Sequence, residues 1–151
     1  MKLLVCTDGS EHSQKALEEA SKIAGGCNVD DIAIIHVYNP TPDSFYLRGD
    51  EVSTITKEDI ERFKEMEEQH KDEKRKILSD ALEFFKNKNI SARTIFKEGH
   101  PAEVITKVAS EEGFDMIVIG SRGLGGLKKL FLGSVSGAVV HEAKTSVLTV
   151  K

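Results

Sequence analysis

Residues 120–136 read GSRGLGGLKKLFLGSVS and hold the densest set of groups able to bind a ligand. They follow a short apolar run at 116–119 and lead into a segment with helical character from Ser134. A strand, a glycine-rich loop and a helix start, in that order, make an anion site. The first N–H groups of a helix lack intrahelical partners, and the aligned peptide dipoles add partial positive charge there. Glycines let the backbone approach an anion and take positive φ without a Cβ penalty. Gly133, Ser134 and Ser136 offer amides and hydroxyls, while Arg122, Lys128 and Lys129 add positive charge. The chemistry this predicts is binding of a phosphate-bearing ligand.

Spacing excludes two familiar phosphate loops. A P-loop needs Gly-x4-Gly-Lys-Ser/Thr, and no such glycine here is followed by Lys-Ser or Lys-Thr. A dinucleotide fingerprint needs Gly-x-Gly-x-x-Gly after the first strand, but Gly123-Leu124-Gly125 comes late and meets Lys128 at the third glycine position. What is present is Gly120-x2-Gly123-x9-Gly133-Ser134. That spacing resembles the ATP-binding loop of the universal stress protein family, and it matches in every fixed position. Asp8-Gly9-Ser10-Glu11-His12-Ser13 resembles the family's opening signature. With His36-Val37, the turn at 99–101 and the last strand, the resemblance covers essentially the whole chain.

The resemblance implies a single domain over 1–151 with a flavodoxin-like, doubly wound, five-stranded parallel sheet of order 3-2-1-4-5 and helices on both faces. It implies ATP between strands one and four, with Mg²⁺ or Mn²⁺ on the phosphates, and a homodimer joined through residues 145–151. Carried onto this chain, the ligand falls to Thr7, Asp8, Val37, Ile119, Gly120, Arg122, Gly123, Gly133, Ser134, Val135 and Ser136. Val37 is expected to hold adenine through its backbone amide and carbonyl. No residue is expected to hold metal directly, save that Asp8 can accept a ribose hydroxyl or help hold the ion. From position alone Asp8 is equally a turn-former ahead of a helix.

The elements that must position these residues follow from periodicity. Residues 2–7 (KLLVCT) are a near-continuous apolar run, the pattern of a parallel strand covered on both faces. Ser10 is a helix N-cap, and Ala16, Leu17, Ala20, Ile23 and Ala24 recur at helical spacing until Gly25-Gly26 stops them. Residues 31–38 (DIAIIHVY) are the second strand. Irregular sequence at 39–57 has the length of a functional or mobile loop. Thr56-Lys57-Glu58-Asp59 then resembles a capping box at the head of a long helix to about residue 88. Its stripe of Ile60, Phe63 and Met66 breaks before Ile77, Leu78, Ala81, Leu82 and Phe85, so its second half is expected on the sheet. A third, more polar strand at 90–96 belongs near an edge. Pro101 opens a helix ended by Gly113, 115–119 is the fourth strand, 134–143 the last helix, and 145–151 the fifth strand. Gly137 weakens that last helix.

At 151 residues the chain is one domain with room for a core. Its 30% charged and 39% hydrophobic residues are globular proportions. A net charge of -4 argues against a general nucleic-acid or membrane-surface role. No apolar run reaches the roughly 18 residues of a membrane span, and residues 1–7 read as a strand, so the cytoplasm is the expected location. Cys6 and Cys27 have no metal or redox spacing, and Cys6 reads as core. His70, His100 and His141 are scattered, which excludes a zinc-protease pattern. His36 lies in an apolar run as a satisfied core histidine does, and His12 falls on a first helical turn at the surface or behind the ligand. Gly133-Ser134-Val135-Ser136-Gly137 is not a hydrolase elbow, because its serines sit where a phosphate cradle needs them. The expected function is an ATP-binding stress or signalling protein with an unknown protein partner and slow or no hydrolysis. An ATP hydrolase or nucleotide transferase in the same pocket is the competing class, and a nucleotide-independent dimeric module is the third.

Overall fold

The structure, a computed structural model, describes residues 1–39, 57–124 and 132–151. The expected capping box at Thr56, the stretch 40–56, and Lys128 and Lys129 lie outside the described residues. The elements are β1 (Lys2–Cys6), α1 (Glu11–Gly26), β2 (Asp31–Tyr38), α2 (Lys57–Asn87), β3 (Arg93–Glu98), α3 (Pro101–Glu111), β4 (Met116–Gly120), α4 (Ser134–Glu142) and β5 (Ser146–Val150). All strand pairs are parallel, in the order β3-β2-β1-β4-β5.

Strand alternation sorts the core into two layers. Leu3, Val5, Ile34 and Val118 point to one face, where Leu17 of α1 and Leu78 and Phe85 of α2 cover them. Leu4, Ile35 and Ile117 point to the other, under Ile105 and Val108 of α3 and Val139 of α4. The central strands are therefore apolar through their middles, at Leu3–Cys6, Ile32–Ile35 and Met116–Ile119, since neither face meets water there. Each fully buried Leu or Ile contributes about 1.5–3 kcal/mol. β3 and β5 are the edges, and both are more exposed along their length. The second half of α2 packs on the sheet, with Leu78, Ala81 and Phe85 buried.

α1 ends at Gly26, within the glycine pair expected to stop it, and the Cys27 N–H donates to Ile23 O at 2.9 Å. Neither glycine takes positive φ. Elsewhere some boundaries differ from the periodicity. β3 starts at Arg93 and not at Ile90. Asn89 turns with φ 58°, and the Ile90 N–H donates to Phe85 O, so Ile90 belongs to the end of α2 and packs with its core layer. β1 ends at Cys6, one residue early, although the Thr7 N–H still donates to Ile35 O at 3.0 Å. No described helix is long and apolar enough to cross a membrane.

Candidate functional site

The strand order reverses between β1 and β4, and beyond their carboxyl ends a cavity of about 630 Å³ opens. This is where an open α/β sheet places a ligand. Each residue to which the resemblance assigned the ligand, from Thr7 to Ser136, lines it.

The β1 side is built by a tight turn. Gly9 takes φ 81°, and the Ser10 N–H donates to Asp8 Oδ1 at 3.0 Å. Ser10 Oγ accepts from the Ser13 N–H at 3.2 Å and caps α1. Asp8 is thus a turn-former and a pocket residue at once. Its second oxygen faces the glycine loop, for a Cβ on Gly123 would stand 2.5 Å from Asp8 Oδ2. Gly120 is a glycine for a different reason. A Cβ there would stand 2.7 Å from the carbonyl carbon and oxygen of His12, so it is what lets α1 sit against the end of β4.

At the α4 side Gly133 is the N-cap and brings no side chain to the helix start. Its own N–H donates to Ser121 O at 2.7 Å. The Ser136 hydroxyl donates to the same oxygen at 2.9 Å, with Gly133 O at 3.2 Å. The Gly133 amide and the Ser136 hydroxyl, offered to an anion in the sequence reading, are therefore engaged in closing the loop ends, since each has a single hydrogen. The first-turn amides of Ser134, Val135 and Ser136 have no intrahelical acceptor and remain as donors. Ser134 keeps an exposed hydroxyl.

The other end of the pocket is apolar, walled by Ile35, Val37, Pro101 and Ile105. The sequence placed Ile35 in a strand, Pro101 at a helix start and Ile105 within that helix, none of them as a site residue. Their periodicity shows which face they occupy but not that this face passes an open strand end. Register settles how Val37 is presented. Ile35 O accepts from Thr7, so the backbone of Ile35 points toward β1, and that of Val37, two residues on, points the same way. β1 has already ended there, so the Val37 amide and carbonyl face the crevice.

Of the histidines, His36 is 6% exposed and donates from Nδ1 to Thr7 O at 2.8 Å, a satisfied buried group. Burial holds its pKa below the ordinary value, with Lys74 adding to the effect and the Thr7 carbonyl and Asp8 opposing it. His12 lines the pocket, and its Nδ1 is buried with no hydrogen-bond partner among the described residues. Cys6 forms part of the floor. Burial, and then the nearby Asp8 charge, push its thiol far above the usual range, so it is no nucleophile. No group of three His, Cys, Asp or Glu among the described residues can hold a metal ion.

A parallel sheet that reverses its order at such a crevice defines a doubly wound, flavodoxin-like α/β ligand-binding protein. The chain matches the family model described as "Universal stress protein family" over residues 1–151, and it belongs to that family. It is 35% identical over 150 residues to universal stress protein YxiE of Bacillus subtilis, covering 99% of this chain and 98% of that one. The solved structure of MJ0577 from Methanocaldococcus jannaschii is similar with a TM-score of 0.80 at 26% identity, covering 99% of this chain and 94% of that one. A universal stress protein solved in complex with cAMP is similar with a TM-score of 0.66 at 25% identity, covering 100% and 96%.

Proposed function

We propose that this protein binds ATP in the β1/β4 crevice and acts as a nucleotide-dependent stress or signalling switch with slow or no hydrolysis. The observation that carries the reading is the pairing of two unlike ends in one cavity. One end is the uncapped start of α4 behind a glycine loop, suited to phosphates. The other is an apolar slot edged by the Val37 amide and carbonyl, suited to the flat face and polar edge of a purine. A volume of about 630 Å³ falls within the roughly 300–1,000 Å³ of small-molecule sites. A relative in the same family binds cAMP, which adds support for an adenine nucleotide.

In this reading Ile35, Val37, Ile105 and Ile119 sandwich the base, and Asp8 Oδ2 takes a ribose hydroxyl or helps hold a cation. The amides of Ser134, Val135 and Ser136, with Arg122 and the Ser134 hydroxyl, take the phosphates. Gly120, Gly123 and Gly133 keep the approach open, and the Thr7 backbone supports the turn. Mg²⁺ or Mn²⁺ would be carried mainly by the phosphates and would supply charge neutralisation there. Of the protein's own side chains, Asp8 is the one that would help hold it.

Fast phosphoryl transfer needs a positioned nucleophile as well as charge neutralisation. Asp8 already spends one oxygen on the Ser10 amide, and binding without transition-state stabilisation gives occupancy rather than rate. In this reading the nucleotide-bound state is what a partner protein distinguishes. Calorimetry with ATP, AMP and cAMP, with and without Mg²⁺, tests the reading: saturable one-to-one binding of ATP is expected. No saturable heat with any adenine nucleotide up to about 1 mM, the weak end of specific affinity, overturns it. Single-turnover hydrolysis near or above about 1 s⁻¹ would replace the switch by an ATPase.

A further inference from the structure

The parallel ladder between β1 and β2 dictates what comes after its last rung. Cys6 pairs with Ile35, and the Thr7 N–H donates to Ile35 O. Continued regularly, the next two bonds would run from the Val37 N–H to Thr7 O and from the Gly9 N–H to Val37 O. Neither bond is formed among the described residues. Two side chains take those partners instead. His36 Nδ1 donates to Thr7 O at 2.8 Å. Thr7 Oγ1, which also meets Ser13 Oγ at 3.3 Å, accepts the Gly9 N–H at 3.3 Å.

We propose that His36 and Thr7 are positioning residues that stop the ladder from closing over Val37 and so keep its amide and carbonyl free for a ligand's hydrogen-bonding edge. The inference rests on the nucleotide reading for what that edge is and on the ladder alone for how it is kept open. A backbone amide and carbonyl left unpaired near the core are disfavoured, and a strand end would otherwise zip one rung further. The imidazole prevents this because it is fixed. It stacks on Phe96 with centroids 6.0 Å apart and planes 22° apart, and Arg75 lies over the far ring at 5.3 Å. Its Nδ1 must carry the hydrogen, since a carbonyl oxygen only accepts. Asp8 gains as well, because the clamped carbonyl belongs to the Thr7–Asp8 peptide, whose direction aims the carboxylate at Gly123.

Amide hydrogen exchange by NMR on the full chain without ligand, paired with ATP calorimetry, tests this on the wild type, His36→Phe and His36→Asn. In the wild type the Val37 amide exchanges at least about tenfold faster than that of Ile35, which lies inside the ladder. His36→Phe keeps the stacking and loses the donor. Val37 exchange then slows by at least about tenfold and ATP weakens by about tenfold, the scale of one or two lost hydrogen bonds. His36→Asn, whose amide nitrogen stands where Nδ1 stood, restores both. A wild-type Val37 amide as protected as Ile35, or a His36→Phe protein with unchanged Val37 exchange, overturns the proposal whatever the affinity does. Should His36→Phe fail to fold, Thr7→Val tests the other rung: freeing the Gly9 N–H weakens ATP, and unchanged affinity counts against the proposal. A wild type with the stated exchange pattern that binds no ATP leaves the ladder mechanism standing and refutes the nucleotide reading.

Discussion

Two glycines of one loop answer to different neighbours. A Cβ at Gly120 would meet the His12 carbonyl at 2.7 Å and the Ser13 nitrogen at 2.9 Å, all backbone of α1 that cannot move alone. Gly120→Ala should therefore destabilise the fold by about 1–3 kcal/mol, the usual range for overpacking, as read by urea unfolding. At Gly123 the obstacle is the end of the Asp8 side chain, which can swing away. Gly123→Ala should leave unfolding within about 1 kcal/mol of wild type and weaken ATP by about tenfold, because it moves the carboxylate. Equal effects of the two substitutions on stability would contradict this division. His36 carries a pH prediction. Its folded pKa is depressed by burial, so as pH falls the unfolded chain takes the proton first. Stability contributed by neutral His36 is complete above about pH 6.5 and declines below it until the folded state's own pKa is reached. The stability–pH curve of His36→Asn should be flatter over that acidic window, and parallel curves would refute the assignment.

At the scale of elements, α1 and α4 both present their starts to the pocket, and they are finished differently. α1 is capped by Ser10 and stitched by the Ser13 hydroxyl donating to Ser10 O at 2.9 Å, so its first turn is rigid. α4 begins at a glycine with no side-chain cap and carries Gly137 in its second turn. A methyl on Gly137 would lie 3.9 Å from Leu132 Cβ, an ordinary contact. Gly137→Ala should stabilise the protein by about 0.5–1 kcal/mol, read by thermal or urea unfolding, and a loss of stability would show that α4 needs the glycine for more than flexibility. Periodicity placed these helices correctly, because an apolar stripe on a covered face is a strong signal. It misjudged where β3 starts, placing Ile90 in the strand, since that depends on the Asn89 backbone angle and on which carbonyl the Ile90 N–H finds.

Over the whole molecule, β5 is an edge strand that, among the described residues, pairs only with β4. Its Leu148 is 36% exposed, and Val140 of the preceding helix is 45% exposed. An unprotected apolar edge invites pairing with a second copy, which satisfies its free backbone groups. The homodimer through residues 145–151 that the family resemblance implies is a proposal, which this edge supports. Leu148→Lys should yield a monomer that keeps its fold, measured by light scattering at micromolar protein. A single-chain mass for the intact protein would refute the dimer.

The sequence by itself determined the layered α/β architecture, through apolar runs at 2–7, 31–38 and 115–119 alternating with helical stripes. Through the family resemblance it also marked part of the lining of one pocket, whose Asp8 turn is local chemistry that short-range sterics enforce. Tertiary structure alone decided how those groups are used. That Ser121 O consumes the Gly133 amide and the Ser136 hydroxyl depends on a contact across the glycine loop. That Gly120 faces the first turn of α1, and that His36 reaches Thr7 O across 29 positions, depends on which strands became neighbours. No local pattern encodes such pairings, because a side chain's hydrogen-bond partner is set by the register of strands brought together by the core and not by the residues beside it in the chain.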